Sequence, residues 1–302
     1  MRRRYVTADV FTNRAFGGNP VAVVLDAEGL TSERMQALAS EFNYSESTFV
    51  LPPSDPSHTA ELRIFTPRSE VPFAGHPNVG TAFVLAREAA ARGRPLGERL
   101  AFEELAGLVA VELMLEDGEA VGARIMAPEP LSRRGVVERG RAAACLSLPV
   151  GDVLAARHEP QVVSVGLPFL VVELASRDAL RRAKPDMRAF GELFPREGAD
   201  AVYAYTRDVP ADGPEAGFDL HARMFSPLDG IVEDPATGSA TAAAAALLAD
   251  LGGAETLTLK VGQGFDMGRP SQLLAEARRS GRALAASVAG QCVAMLEGSF
   301  EL

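Results

Sequence analysis

Two stretches of this chain nearly repeat one another. Arg63-Ile64-Phe65-Thr66-Pro67 is answered by Arg223-Met224-Phe225-Ser226-Pro227, an offset of 160 residues (223 − 63). The same offset carries Val71 onto Ile231, Thr81 onto Thr241 and Ala82 onto Ala242. Each copy reads as a strand, a proline-bearing turn, a glycine-bearing loop and then a helix. Such self-similarity points to two like halves, each completing the same unit. A cleft between like halves suits a binding site, because two helix N-termini can point into it.

The pattern around the repeats agrees with mixed α and β structure. Thr31 or Ser32 can cap a helix with Met35, Leu38, Ala39 and Phe42 on one face, ending near Asn43. Strands are expected at Thr48–Leu51 and over residues 60–66, where Leu62 and Ile64 share a face. Pro77 suits the start of a helix burying Val79, Ala82, Phe83 and Ala86. Val109, Val111 and Leu113 alternate, and Asp117-Gly118 makes a hairpin turn before a strand ending near Met126. Ala127-Pro128-Glu129-Pro130 reads as a linker, which sets domains at residues 1–128 and 129–302, with terminal strands free to cross over. In the second half Val162–Glu173 is strand-like and 177–195 helical. Strands follow at 200–205 and 218–225, then a helix from about Thr237 to Ala249. Leu257, Leu259 and Val261 alternate, and two more strands are expected around 283–289 and 291–297.

Composition excludes several function classes. The 302 residues carry 40 acidic against 30 basic side chains, a net charge of −10. That field opposes a nucleic-acid surface, which needs positive charge. Asp9 interrupts the basic N-terminus before any long apolar run, and the alanine-rich stretch from Ala242 to Ala249 is too short to span a bilayer. A soluble, cytoplasmic protein without membrane partners is expected. The two cysteines, Cys145 and Cys292, sit far apart in apolar settings and read as core residues, not as a disulfide or a metal site. Gly262-Gln-Gly-Phe-Asp-Met-Gly268 imitates a dinucleotide fingerprint, but its third glycine is one place late and Arg269-Pro270 spoils the helix it needs.

Three groups could carry chemistry. His76 stands in Val71-Pro-Phe-Ala-Gly-His-Pro-Asn-Val-Gly80, where Gly75 lets backbone approach a ligand and the helix-start amides offer donors. Asp234 precedes the Thr-Gly-Ser turn that opens the alanine-rich helix. Glu46 lies in a polar cluster with Ser45, Ser47 and Thr48 at the rim of an apolar strand. Taken singly, His76 reads as a cap or a packed residue, Asp234 as a helix cap and Glu46 as a solvated turn residue.

Together these segments resemble a known family. Ala15-Phe-Gly-Gly-Asn-Pro-Val-Ala-Val23, Ser45-Glu-Ser-Thr-Phe49, Phe73-Ala-Gly-His-Pro77 and Glu233-Asp-Pro-Ala-Thr-Gly-Ser-Ala240 are similar to the motifs of the PhzF, or phenazine biosynthesis-like, family. Gln263-Gly264 with Met267-Gly-Arg-Pro-Ser271 resembles its last motif, so the likeness runs from residue 15 to residue 271. It implies an α+β fold of two pseudo-symmetric domains, each a mixed sheet or barrel wrapped around a central helix, as in diaminopimelate epimerase. It also implies a homodimeric, cofactor-independent isomerase that binds no metal. By the same likeness Glu46 removes and returns a substrate proton, His76 and Asp234 assist, and Asn19, Ser45, Gly75, Pro77, Thr237, Gly238 and Ser239 bind substrate.

Epimerases of this superfamily pass a proton between two cysteines in facing loops. Here Ala74 and Asp234-Pro235 stand in those places and supply no thiol. An amino-acid racemase or epimerase independent of pyridoxal phosphate is therefore the disfavoured alternative, alongside a non-catalytic binding protein. The expected reaction is a proton shift on a small carboxylic acid. Burial is expected to raise the pKa of Glu46 above about 4.3, and helix-start amides near Pro77 or Thr237 would hold the substrate carboxylate.

Overall fold

The computed structural model describes residues 2–194 and 198–302. Two compact units divide the chain: Met1–Ile125 with Ala289–Leu302, and Met126–Val288. The first contains β1 (Arg2–Val10), β2 (Asn19–Val24), α1 (Ser32–Phe42), β3 (Glu46–Leu51), β4 (Ala60–Phe65), β5 (Glu70–Val71), α2 (Gly75–Ala91), β6 (Arg99–Glu104), β7 (Gly107–Glu116) and β8 (Glu119–Met126). Thr31 caps α1 by accepting the Arg34 N–H, and Asn43 ends it in a left-handed conformation. The helix expected from Pro77 begins two residues earlier. Ala74 is its cap, and Pro77 sits inside the first turn, where a missing N–H costs no helical hydrogen bond.

The second unit contains β9 (Ser132–Val136), α3 (Arg139–Cys145), β10 (Gln161–Ser164), β11 (Pro168–Glu173), α4 (Arg177–Arg182), α5 (Met187–Leu193), β12 (Val202–Thr206), β13 (Leu220–Ser226), β14 (Ile231–Asp234), α6 (Gly238–Gly252), β15 (Thr256–Gln263) and β16 (Ser271–Ser280). The strand expected over Val162–Glu173 is an antiparallel pair, turning at Gly166 with φ of 139°. The expected helix 177–195 is two short helices, and its final residue, Pro195, lies outside the described residues. The sheet runs β9-β10-β11-β12-β13-β15-β16, with β14 beside β13. Helix α6 packs on β10, β11, β15 and β16 and buries almost every side chain.

The last strand, β17 (Ala283–Glu301), is continuous where two strands were expected. Residues Cys292 to Glu301 pair antiparallel with β1, and β17 also pairs with β8. Pairings β1-β2-β3-β4-β6-β7-β8 complete a closed ring of eight strands in the first unit. Closure removes the exposed edge that would otherwise invite association. Strand alternation assigns the faces. Phe49, Phe65 and Val24 pack with Met35 and Ala39 of α1, which covers the outside. The opposite positions, including Asn19, Val21, Glu46, Thr48, Leu62, Ile64, Leu100 and Phe102, therefore face α2, which contacts β1, β2, β3 and β7. Gly80 permits that approach, since a Cβ there would lie 2.6 Å from Val21 Cγ1 and 2.8 Å from Val10 Cγ2.

The sequence repeat is a repeated clamp. Arg63 donates to both oxygens of Glu70 at 2.7 and 2.6 Å, and Arg223 does the same to Glu233 at 2.7 and 2.7 Å. Each guanidinium also lies over the ring two residues on, 5.2 Å from Phe65 and 4.9 Å from Phe225. The offset of 160 holds only along the strand. From the clamp carboxylates (Glu70, Glu233) to the helix starts (Gly75, Gly238) it is 163, because a 3₁₀ turn, Pro227–Asp229, lengthens the second copy. The expected matches of Val71 with Ile231 and of Thr81 with Thr241 fail for that reason: Val71 pairs with Ile64, whereas Met224 pairs with Asp234.

Candidate active site

In the first unit three elements bring polar side chains to one end of the ring. Asn19 begins β2, Glu46 begins β3 and His76 lies in the first turn of α2. Val21 pairs with Glu46 in the parallel β2–β3 register, which holds these strand ends side by side. The Nδ1 of His76 is 3.5 Å from Glu46 Oε2 and 3.4 Å from Asn19 Nδ2. The Ser45 hydroxyl donates to the Asn19 side-chain oxygen, Oδ1, at 3.5 Å. Gly75 and Pro77 flank the imidazole. Upstream, Gly18 turns the chain into Asn19 with φ of 61°, and a Cβ there would stand 2.2 Å from the Val10 carbonyl oxygen.

Ion-pair reach between Glu46 and His76 does not make an ion pair. Full burial pushes the imidazole down to about 3, only partly offset by the Pro20 carbonyl. His76 is therefore neutral across the physiological range, and its Nε2 is buried with no hydrogen-bond partner. Beside it the Glu46 side chain keeps 17% of its exposure, so the carboxylate is reachable while the imidazole is not. A carboxylate next to a neutral imidazole can accept a proton and return it.

In the second unit Asp234 ends β14, and Thr237, Gly238 and Ser239 open α6. The Thr237 hydroxyl donates to Asp234 Oδ2 at 2.5 Å. Gln263, at the end of β15, fastens this loop: its Nε2 donates to the Asp234 carbonyl at 2.8 Å and the Thr237 hydroxyl at 3.0 Å, and its Oε1 accepts the Thr237 N–H at 3.1 Å. Ser271 Oγ donates to the Pro235 carbonyl at 2.8 Å. The Gly262–Gly268 segment makes a 3₁₀ turn at Phe265–Met267 and runs back into β16, not into an α-helix, and a Cβ on Gly264 (φ of 75°) would lie 2.6 Å from the Pro235 oxygen.

Sequence reasoning quoted Gln263 and Asn78 inside motifs without giving either a task. Asn78, fully buried, donates to the Ala74 carbonyl at 2.9 Å and so fixes the turn that carries His76. Their signal was the motif itself, an amide among glycines. Neither cysteine joins these groups: Cys145 is buried in α3, where burial pushes its thiol up to about 12, and Cys292 is buried in β17. Among the described residues no group of three or more His, Cys, Asp or Glu could hold a metal ion. A cavity of about 400 Å³ lined by Leu25, Leu51, Leu85, Glu88 and Arg92 lies at the other end of α2, away from Glu46 and His76.

A family model for phenazine biosynthesis-like proteins matches residues 8–298. The chain belongs to this family. A trans-2,3-dihydro-3-hydroxyanthranilate isomerase of Pseudomonas aeruginosa is 37% identical, with 98% of each chain covered. An uncharacterized isomerase of Mesorhizobium japonicum is 39% identical over 98% of each. A crystal structure of a Bacillus anthracis PhzF-family protein superposes with a TM-score of 0.86 over 100% of both chains at 24% identity. The fold is accordingly that of the diaminopimelate epimerase-like proteins, and this phenazine biosynthesis-like protein is an isomerase acting on a small molecule. Among the described residues no helix is long and apolar enough to cross a membrane.

Proposed function

We propose that Glu46 is the acid/base of a cofactor-independent proton shift on a small, unsaturated carboxylic acid. The observation that carries this reading is the accessible Glu46 carboxylate 3.5 Å from an imidazole that burial keeps neutral. A neutral imidazole sets no positive charge against the Glu46 carboxylate. In the reaction the C–H bond of an activated carbon breaks and its proton passes to Glu46. The electron pair moves into the conjugated system, and Glu46 returns the proton to another carbon, so the substrate is isomerised without oxidation or reduction. His76 and Asp234 assist, and Asn19, Ser45, Gly75, Pro77, Thr237, Gly238 and Ser239 bind substrate. Neither Ala74 nor Thr237 caps its helix with a side chain, which leaves first-turn amides as donors for the substrate carboxylate.

The relative at 37% identity makes trans-2,3-dihydro-3-hydroxyanthranilate the first substrate to try. The same family likeness supports a cytoplasmic homodimer. Incubation with that compound in D₂O tests the role of Glu46. Deuterium uptake or isomerised product with the natural protein, abolished in Glu46→Gln, is the expected result. Exchange that persists in Glu46→Gln would remove Glu46 as the base.

A further inference from the structure

Glu104 is a buried carboxyl group to which the reaction above gives no task. It ends β6 on the alternation of Leu100 and Phe102, so it enters the interior of the ring from the same face as Glu46 and Asn19. Its neighbour Glu103 points the other way, onto Ser54 and His58. Both Glu104 oxygens are sealed from solvent, and neither receives a hydrogen bond of good geometry or a cationic partner. Burial raises this carboxyl to about 8, with the Asn78 amide close enough to oppose the shift in part.

Asn78 presents the complementary deficit. One hydrogen of its Nδ2 goes to the Ala74 carbonyl at 2.9 Å, the other faces the Glu104 carboxyl, and its buried Oδ1 has no partner. An unpartnered acceptor beside an unpartnered carboxyl is resolved by one proton: a carboxylic acid donates where a carboxylate cannot. The turn after Glu104 braces the same loop, with the Ala106 N–H donating to the Pro72 carbonyl at 3.1 Å. We propose that Glu104 is a positioning residue whose carboxylic acid O–H donates to Asn78 Oδ1, fixing the amide that holds Ala74 and thereby aiming His76 at Glu46. The inference rests on the assignment of Glu46 and His76 as the reacting pair.

The test compares Glu104→Ala, Glu104→Gln, Asn78→Ala and the Glu104→Ala/Asn78→Ala double variant, with trans-2,3-dihydro-3-hydroxyanthranilate as probe. Glu104→Ala is expected to lower kcat about 10- to 100-fold, the cost of a misplaced catalytic group, with KM little changed. Glu104→Gln, which still offers an N–H, should restore most of that loss. The double variant should be no worse than its poorer single parent, because both act through one contact. A Gln variant as poor as Ala, or additive losses, would overturn the proposal. Two readouts stand apart from turnover: the His76 ring nitrogen shifts should move in Glu104→Ala and return in Glu104→Gln, and the natural protein at pH 7 should show a protonated-carboxyl infrared band that Glu104→Gln lacks. Unmoved shifts or a missing band would overturn it as well. If Glu46→Gln keeps full exchange while these signals behave as expected, the positioning contact stands and the assignment of Glu46 falls.

Discussion

Gln263 holds Thr237 twice, through its backbone N–H at 3.1 Å and through its hydroxyl at 3.0 Å, and a third bond reaches the Asp234 carbonyl. Every partner is buried, so losing the amide leaves donors and acceptors without water to replace it. Gln263→Ala is expected to cost about 2 to 4 kcal/mol of stability, read from urea denaturation. Gln263→Met, of similar length, should cost as much, which separates the lost hydrogen bonds from lost volume.

Acid should destabilise the protein through His76. The imidazole titrates near 3 in the folded protein and ordinarily at 6.5, so the unfolded chain takes up a proton that the folded chain refuses. Its contribution is fully present above pH 6.5 and is lost as pH falls below that value. Between pH 7 and pH 5 the natural protein should lose about 2 kcal/mol more than His76→Asn, at about 1.4 kcal/mol per pH unit. Denaturation curves for both proteins at the two pH values measure the difference. Equal losses would mean that His76 is protonated in the folded state.

At Gly18 both space and conformation are exhausted: a Cβ would meet the Val10 carbonyl oxygen at 2.2 Å, and φ is 61°. Gly18→Ala should therefore destabilise by about 1 to 3 kcal/mol. Gly93 makes the control, with φ of 69° but nothing within 4 Å. Gly93→Ala should cost only about 1 kcal/mol. Thermal unfolding of the pair separates steric from conformational cost.

The two arginine clamps should differ in strength. Arg223 is the more buried, at 9% against 22% for Arg63, and it alone also donates to the carbonyls of Leu180, Arg181 and Ala183 at 2.9, 3.1 and 2.9 Å. Arg223→Ala leaves the half-buried Glu233 carboxylate and three carbonyls without their donor and should cost about 3 kcal/mol. Arg63→Ala, with Glu70 near solvent, should cost about 1 kcal/mol. Parallel chemical denaturation of the two variants decides the order.

Much of this was legible in the chain. Periodicity located α1 through Met35 and Ala39, and the repeat marked the two clamp arginines, Arg63 and Arg223, but not their carboxylates. What misled was local. Pro77 reads as a helix start because proline favours that place, yet Ala74 caps one turn earlier through backbone geometry that no side chain announces. Three additional residues in the second copy, hidden in Pro227–Asp229, shifted the match downstream of the strand. Glu104 was invisible for a different reason. It ends an ordinary alternating strand, and only closure of the ring turns that position inward onto Asn78.

The ring closes with Cys292 to Glu301 against β1, whose partners are Arg2 to Val10. During synthesis β1 thus waits until residues 292–301 are made before its second neighbour exists. Residues 126–288 can assemble while the barrel is still a seven-strand sheet with a raw margin. The first-made half should be the last to become protease-resistant, and a ribosome stalled before residue 292 should carry a nascent chain in which that order can be seen.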